Sequence, residues 1–251
     1  FCLQKLKPTT TMNITPKIGV LATLLLVNTN LFAQEAPFKL GVRLGGGMSV
    51  NTGMDKILVP EDYYSNYNFK DKWQITPTVG VFAQYHVDGS IIGVEGGFSY
   101  WQKASQLVYN DNKELNYKVT PRYNYIGVSA LLKIYPWRKG FNISIGGRAG
   151  ANLNGKGISY ESNQEESKFA NYHFATVAET ERLMKEKLTG QPDIAVGGDF
   201  GYEIDHHWAV DLRYFYGLNS TIKTEHNDYN WAEHATHSQN IELSVSYLFN
   251  L

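Results

Sequence analysis

Phe38-Lys39-Leu40-Gly41-Val42-Arg43-Leu44-Gly45-Gly46-Gly47-Met48-Ser49 alternates along its length. Phe38, Leu40, Val42, Leu44 and Met48 fall on one side of an extended chain, and Lys39, Gly41, Arg43, Gly45, Gly47 and Ser49 on the other. Successive side chains of a strand point to opposite faces, so this period marks a sheet whose two surfaces meet unlike surroundings. Seven further segments repeat the pattern: 73–86, 92–100, 126–134, 141–148, 193–203, 208–216 and 240–249. Each is long enough to cross a bilayer at a tilt.

Alternation alone leaves open whether the apolar side points inward, as in a soluble lipocalin-like barrel, or outward into lipid. The polar side decides. It is mostly Gly, Ser and Asn, small residues that suit a crowded interior, where a solvated exterior would carry many Lys, Glu and Thr. Its charges nearly cancel: Lys39, Arg43, Lys133, Arg148 and Arg213 against Glu95, Asp193, Asp199, Glu203, Asp211 and Glu242. Buried charges are tolerated when paired, so Arg43, Glu95, Lys133, Arg148, Asp199, Asp211, Arg213 and Glu242 are the expected ion-pair residues of a closed lumen. The apolar side carries no Asp, Glu, Lys or Arg, as a lipid-facing surface requires. Trp73, Tyr85, Tyr100, Trp208 and Tyr216 at segment ends fit interfacial girdles.

The connections alternate in length. Asp88-Gly89, residues 136–140 and Asp205-His206-His207 are short links; Asn51 to Lys72, about Val108 to Tyr117, Asn152 to Gly190, and Asn219 to Gln239 are long. The expected fold is therefore all-β: an eight-stranded antiparallel up-and-down transmembrane β-barrel, with long external loops and both termini periplasmic. Phe174 to Leu188 has helical character and predicts a short helix in the third loop, ended by Gly190 and Pro192. An eight-stranded barrel is just wide enough for its own side chains, so no open pore is expected.

Ahead of the barrel, Ile18 to Val27 is an apolar-plus-Thr run preceded by Lys17 and followed by Leu31-Phe32-Ala33-Gln34, the layout of a signal peptide. Residues 1–33 are read as an upstream artefact plus signal peptide, and 34–251 as the barrel domain. The one cysteine, Cys2, lies upstream, so the barrel has no disulfide, thiolate nucleophile or Cys-ligated metal. Formal net charge is −1, which suggests no nucleic-acid partner. The composition, with 17 Tyr, 12 Phe, 5 Trp and 23 Gly, fits strands that show lipid only every second residue.

Three segments are specific as well as periodic: Tyr125-Ile126-Gly127-Val128-Ser129-Ala130-Leu131-Leu132-Lys133, Asp211-Leu212-Arg213-Tyr214-Phe215-Tyr216-Gly217-Leu218-Asn219, and the closing Ser246-Tyr247-Leu248-Phe249. Together they resemble the PorT-like outer-membrane β-barrel family, over nearly all of the chain after the signal segment. The resemblance implies a barrel in the outer membrane of a Gram-negative cell, surrounded by outer-membrane lipid and inserted by the outer-membrane assembly machinery. It also implies, as an alternative function, an accessory role in a protein secretion apparatus.

Catalytic chemistry is weakly represented. His226, His234 and His237 share the fourth long loop with Glu225, Asp228 and Glu233 and are weak metal candidates, but no i, i+4 pair sits on a convincing helix. Ser99 and Ser129 have no His in register, and Gly45-Gly46-Gly47 precedes neither a helix nor a Lys-Ser or Lys-Thr pair. No cofactor is expected, and a lipid-modifying enzyme of the same fold is the minor alternative. Tyr63, Tyr64, Tyr67, Tyr229 and Trp231 in the long loops are the candidates for recognising a surface protein or glycan.

Overall fold

The computed structural model describes residues 38–58, 68–86, 90–110, 115–137, 140–165, 175–204, 207–224 and 235–250, which fall in one compact unit, Pro37–Leu251. The signal segment, the loop aromatics Tyr63, Tyr64, Tyr67, Tyr229 and Trp231, and His206, His226 and His234 lie outside the described residues.

Eleven strands and two helices are described: β1 (Phe38–Thr52), α1 (Met54–Leu58), β2 (Asn68–His86), β3 (Ile92–Asn110), β4 (Asn116–Ile134), β5 (Phe141–Asn152), β6 (Ile158–Ser162), α2 (Val177–Lys187), β7 (Leu188–Gly190), β8 (Asp193–Ile204), β9 (Trp208–Gly217), β10 (Ile222–Thr224) and β11 (His237–Asn250). Eight of the strands close a ring in the order β1-β2-β3-β4-β5-β8-β9-β11, every neighbour antiparallel, with β1 paired back to β11. Closure leaves no free edge within the ring.

The apolar set points outward. Leu44 is 70% exposed, and Ile75, Val81, Val128, Ile145, Phe200 and Leu243 all face away from the ring, whereas Lys39, Arg43, Glu95, Lys133 and Asp211 are buried inside. A water-soluble barrel would reverse this, so the outer surface is built for hydrocarbon. Aromatic side chains mark both rims of the band: Tyr85, Tyr202, Trp208, Tyr247 and Phe249 toward the short turns, Tyr100, Tyr214 and Tyr216 toward the long connections.

The glycine triplet of β1 works by close approach. A Cβ on Gly47 would stand 2.0 Å from the Ile241 carbonyl oxygen across the ladder, so β1 and β11 can come this near only with a hydrogen there. Pro77 sits where the β2–β3 register slips by one residue, between Trp73 and Thr78. A residue with no N–H is accommodated at such a bulge.

Three connections differ from the sequence reading. The second is not long: β3 and β4 run on as a hairpin, leaving only residues 111–115 between them. Ring contacts Phe69–Tyr109 and Tyr109–Tyr117, at 5.0 and 4.7 Å, line the inner side of that extension. The third connection holds α2 as expected, but the helix ends at Lys187 and passes into β7, with Leu188 in an extended conformation as its C-cap rather than a terminating glycine. The first connection contains α1, a helix the sequence pattern did not signal.

Helix α2 is well specified locally. Thr176 and Glu179 form a reciprocal capping box, Lys185 and Lys187 occupy the last turn, and Arg182–Glu186 and Glu181–Lys185 pair along one flank. The Tyr160 amide of β6 donates to Glu181 at 3.1 Å, tying helix to strand.

Candidate functional site

The lumen is filled by side chains arranged in three ionic groups, stacked from the short-turn end toward the long connections. At the base, Lys39 pairs with Glu203 at 2.8 Å, and Glu203 also accepts from Gln84 at 2.6 Å and from the Tyr135 hydroxyl at 2.8 Å. At the centre, Glu95 accepts from both terminal nitrogens of Arg43 at 2.8 and 3.1 Å, and lies 2.9 Å from Lys133 and 3.5 Å from Arg213. Arg43 reaches Asp211 at 3.4 Å and Arg213 reaches Asp199 at 3.5 Å. In the upper group Arg148 pairs with Glu242 at 2.7 Å and with Asp193 at 3.4 Å, and Asp193 pairs in turn with Lys103.

Each group is neutral by itself: one cation and one anion at the base, three of each at the centre, two of each above. Removing two charges from water costs several kcal/mol per ion, and only pairing with satisfied geometry offsets it, so neutrality at each level is what this lumen requires. Aromatic faces inside the wall add to it. The Arg43 guanidinium lies 4.2 Å from the Phe82 ring, and that of Arg148 lies 4.2 Å from Phe215 and 4.7 Å from Trp101.

All eight lumen residues singled out in the sequence thus stand inside the ring; six, Glu95 among them, make up the central group, while Arg148 and Glu242 form part of the upper group. Lys103, which completes the upper group, was missed. Its signal was present: the odd positions Glu95, Gly97 and Ser99 face inward, and Trp101 and Lys103 continue them past the end of the apolar alternation.

Above the ions lies an apolar seal. Met54 and Ile57 of α1, Trp101 and Leu107 of β3, Val119, Tyr123 and Tyr125 of β4, Ile158 and Tyr160 of β6, Met184 of α2, Leu188 of β7 and Ile222 of β10 form one buried cluster. Trp101 joins seal to ions: its ring stacks on Tyr125 at 5.8 Å while its indole N–H donates to Asp193 at 3.1 Å. The ion groups below and this cluster above occupy successive levels of the described interior. Shortening Leu107, fully buried, to Ala is expected to cost about 2–5 kcal/mol at the seal. Faster amide exchange in β6 and α2, with the resistance of the barrel to SDS unchanged, is the result that checks it.

The described histidines hold structural positions. His237 donates through Nδ1 to the Gly217 carbonyl at 3.0 Å and stacks on Tyr216; His207 donates through Nδ1 to the Leu248 carbonyl at 3.3 Å, and His86 through Nε2 to the Ser90 carbonyl at 3.0 Å. Ser99 faces Gly80 and Gly127 in register, and Ser129 faces Gly97 and Arg148, with no imidazole beside either among the described residues.

A closed antiparallel ring with a lipid-ready exterior and a neutralised, packed interior defines a transmembrane β-barrel. The chain belongs to the family described as outer membrane protein beta-barrel domain, whose profile matches residues 32–223. That places it in the outer membrane, surrounded by lipid. Among solved structures it is similar to Neisserial surface protein A, at 11% identity over 86% of this chain and 100% of that one, with a TM-score of 0.39. It is also similar to Ail, the attachment invasion locus protein of Yersinia pestis, at 11% identity, 86% and 100% coverage and a TM-score of 0.37. The third is OprG of Pseudomonas aeruginosa, at 13% identity, 84% and 96% coverage and a TM-score of 0.37. No curated protein matches the chain.

Proposed function

We propose that this barrel is a membrane-anchored scaffold for surface recognition, without enzymatic activity and without an open pore. The observation that carries the reading is the division of labour along the barrel axis. The part within the apolar band is a rigid ring around neutral ion groups. The structural elements beyond the ring, α1, β6, α2, β7 and β10, all belong to the long connections at one end. Chain devoted to neither crossing nor conducting is available for contact, and loops held by a rigid frame are the usual place for it. The start of β1 and the end of β11 pair with each other at the opposite, short-turn end, which supports periplasmic termini and external long connections.

Capture of surface proteins or glycans from intact cells tests this, with the full chain compared against a variant in which 163–187 is replaced by a short Gly-Ser link. Loss of partners in the variant is expected, and identical partners from both would overturn recognition by this connection. Mass analysis of lipid A with and without the protein tests the absence of enzymatic activity, since a modified lipid would require chemistry that Ser99 and Ser129, without a histidine in register, and the backbone-bonded His positions do not support. The PorT-like segments in β4, β9 and β11 support a second reading, an accessory part of a protein secretion apparatus. Co-isolation of secretion components in the same capture would favour it.

A further inference from the structure

Strands β2, β3 and β4 do not stop at the apolar band. Residues 68–73 of β2, 105–110 of β3 and 116–121 of β4 continue as a sheet beyond it, and β6 adds a fourth strand by pairing with β4. The inner face of this extension carries Leu107, Val119, Ile158 and Tyr160 and belongs to the seal. The outer face is different. Register places Lys70 opposite Val108, Val108 opposite Lys118, and Lys118 opposite Glu161, with Lys72 opposite Gln106 in the neighbouring row. Lys70, Lys72, Lys118 and Arg122 are all exposed.

Glu161 is the one carboxylate among the described residues on this face, and its contact with Lys118, at 3.4 Å between side chains 49% and 67% exposed, is a weak one. Asp71 turns to the opposite side of β2, facing Leu107 in register and beside Asp55. The described residues of this face therefore carry four cations against one carboxylate. This charge is also one-sided: the described outward positions of β1, β5, β8, β9 and β11 carry no Lys, Arg, Asp or Glu.

Height above the bilayer narrows the ligand. Ile75 and Ile126 are the last apolar outward residues of β2 and β4. At about 3.3 Å per residue, Lys72 lies roughly 10 Å along the strand beyond Ile75, and Arg122 roughly 13 Å beyond Ile126. A strand tilt near 40° turns these into about 8–10 Å of height, at the layer of lipid headgroups, with Lys70 about 13 Å up and Lys118, about 20 Å up, above that layer. Just below, Tyr100 donates to Asn124 at 2.9 Å and Gln102 donates to the same oxygen at 2.8 Å, the polar tips of an interfacial belt. Because the extension continues the barrel wall, its outer face looks sideways over the headgroups; a soluble partner arriving from above would meet the loop tips first.

The geometry points to a binding surface at the lower edge of this outer face, Lys70, Lys72 and Arg122, for the phosphate groups of a phosphorylated glycolipid in the outer leaflet. Ammonium and guanidinium groups form charge-assisted hydrogen bonds with phosphate oxygens, and Arg122 is already anchored across β3 by donating to Gln102 and to the Ile75 carbonyl. The surface would hold one side of the barrel against a headgroup while the acyl chains cover the apolar wall beneath it. This rests on the external orientation of the long connections given above.

The test uses the folded full chain in phosphatidylcholine nanodiscs containing a small fraction of bis-phosphorylated lipid A, with bound glycolipid counted by native mass spectrometry. K70Q/K72Q is expected to weaken retention at least about tenfold, given roughly 1 kcal/mol per basic residue at an anionic surface. Dephosphorylated lipid A should show no such difference, and the SDS-resistant folded band should be unchanged. Equal retention by wild type and variant, or equal retention of both lipids by wild type, overturns the proposal. So does displacement of the lipid by millimolar inorganic phosphate, which would mark a site for free anions. Surface proteolysis of intact cells tests orientation separately: protection of the long connections would refute the external placement, whereas cleavage there with failed lipid discrimination refutes the phosphate surface alone.

Discussion

Glu95→Ala is expected to destabilise the folded barrel by about 3–5 kcal/mol, the range for removing one partner of a buried ion group. Its side chain is fully buried and receives Arg43 twice, Lys133 and Arg213. Without it the central group holds three cations against Asp199 and Asp211, and no water layer is at hand to take the excess. The number of ions is not what stabilises; the balance is. Glu95→Gln combined with Lys133→Met, which keeps the centre neutral, should therefore recover part of the loss. Urea unfolding into lipid vesicles measures both, and an unchanged midpoint for Glu95→Ala would mean that the central group is hydrated rather than paired.

Leu44→Arg is expected to cost about 2–4 kcal/mol, and the same change at Met48 nearer the rim about 0–1 kcal/mol. The two side chains point outward from the same strand, at 70% and 46% exposure. In a protein surrounded by water neither change would matter much, since each adds a charge to an exposed position. The difference between them therefore measures the membrane itself: a guanidinium at mid-depth has no nearby headgroup to reach, while one at the rim does. Heat-modified migration on SDS gels across the two variants reads the ranking. Equal small effects at both positions would contradict a hydrocarbon-facing wall.

Much of this was readable from the chain. Alternation located every strand of the ring, because within the band each strand separates hydrocarbon from a crowded lumen and the two faces cannot share a composition. The same contrast identified Arg43, Glu95, Lys133 and Arg213 as interior residues before any pairing was visible. The aromatic recognition candidates Tyr63, Tyr64, Tyr67, Tyr229 and Trp231 belong to residues outside those described.

What the sequence reading misjudged lies beyond the band, and for one reason. In β3, Ile92, Val94, Phe98 and Tyr100 face out and Glu95 and Ser99 face in; a few residues later Leu107 and Tyr109 face in while Gln106 faces out. The backbone keeps its period, but the apolar phase reverses where lipid gives way to water. A run that changes phase reads as a loop, so alternation alone ends β3 and β4 early and gives Lys103 no place in the lumen.

Strand number, the sense of the two faces, α2 and the near-equality of lumen charges were determined by the sequence itself, since each depends on local composition repeated at a fixed period. Which cation meets which carboxylate depended on tertiary structure, because Arg43, Glu95 and Asp211 come from β1, β3 and β9 and approach only when the ring closes. The seal likewise draws Met54, Trp101, Met184 and Ile222 from four separate elements. No local pattern encodes such a meeting; strand tilt and register decide it, by setting which side chains share a level inside the barrel.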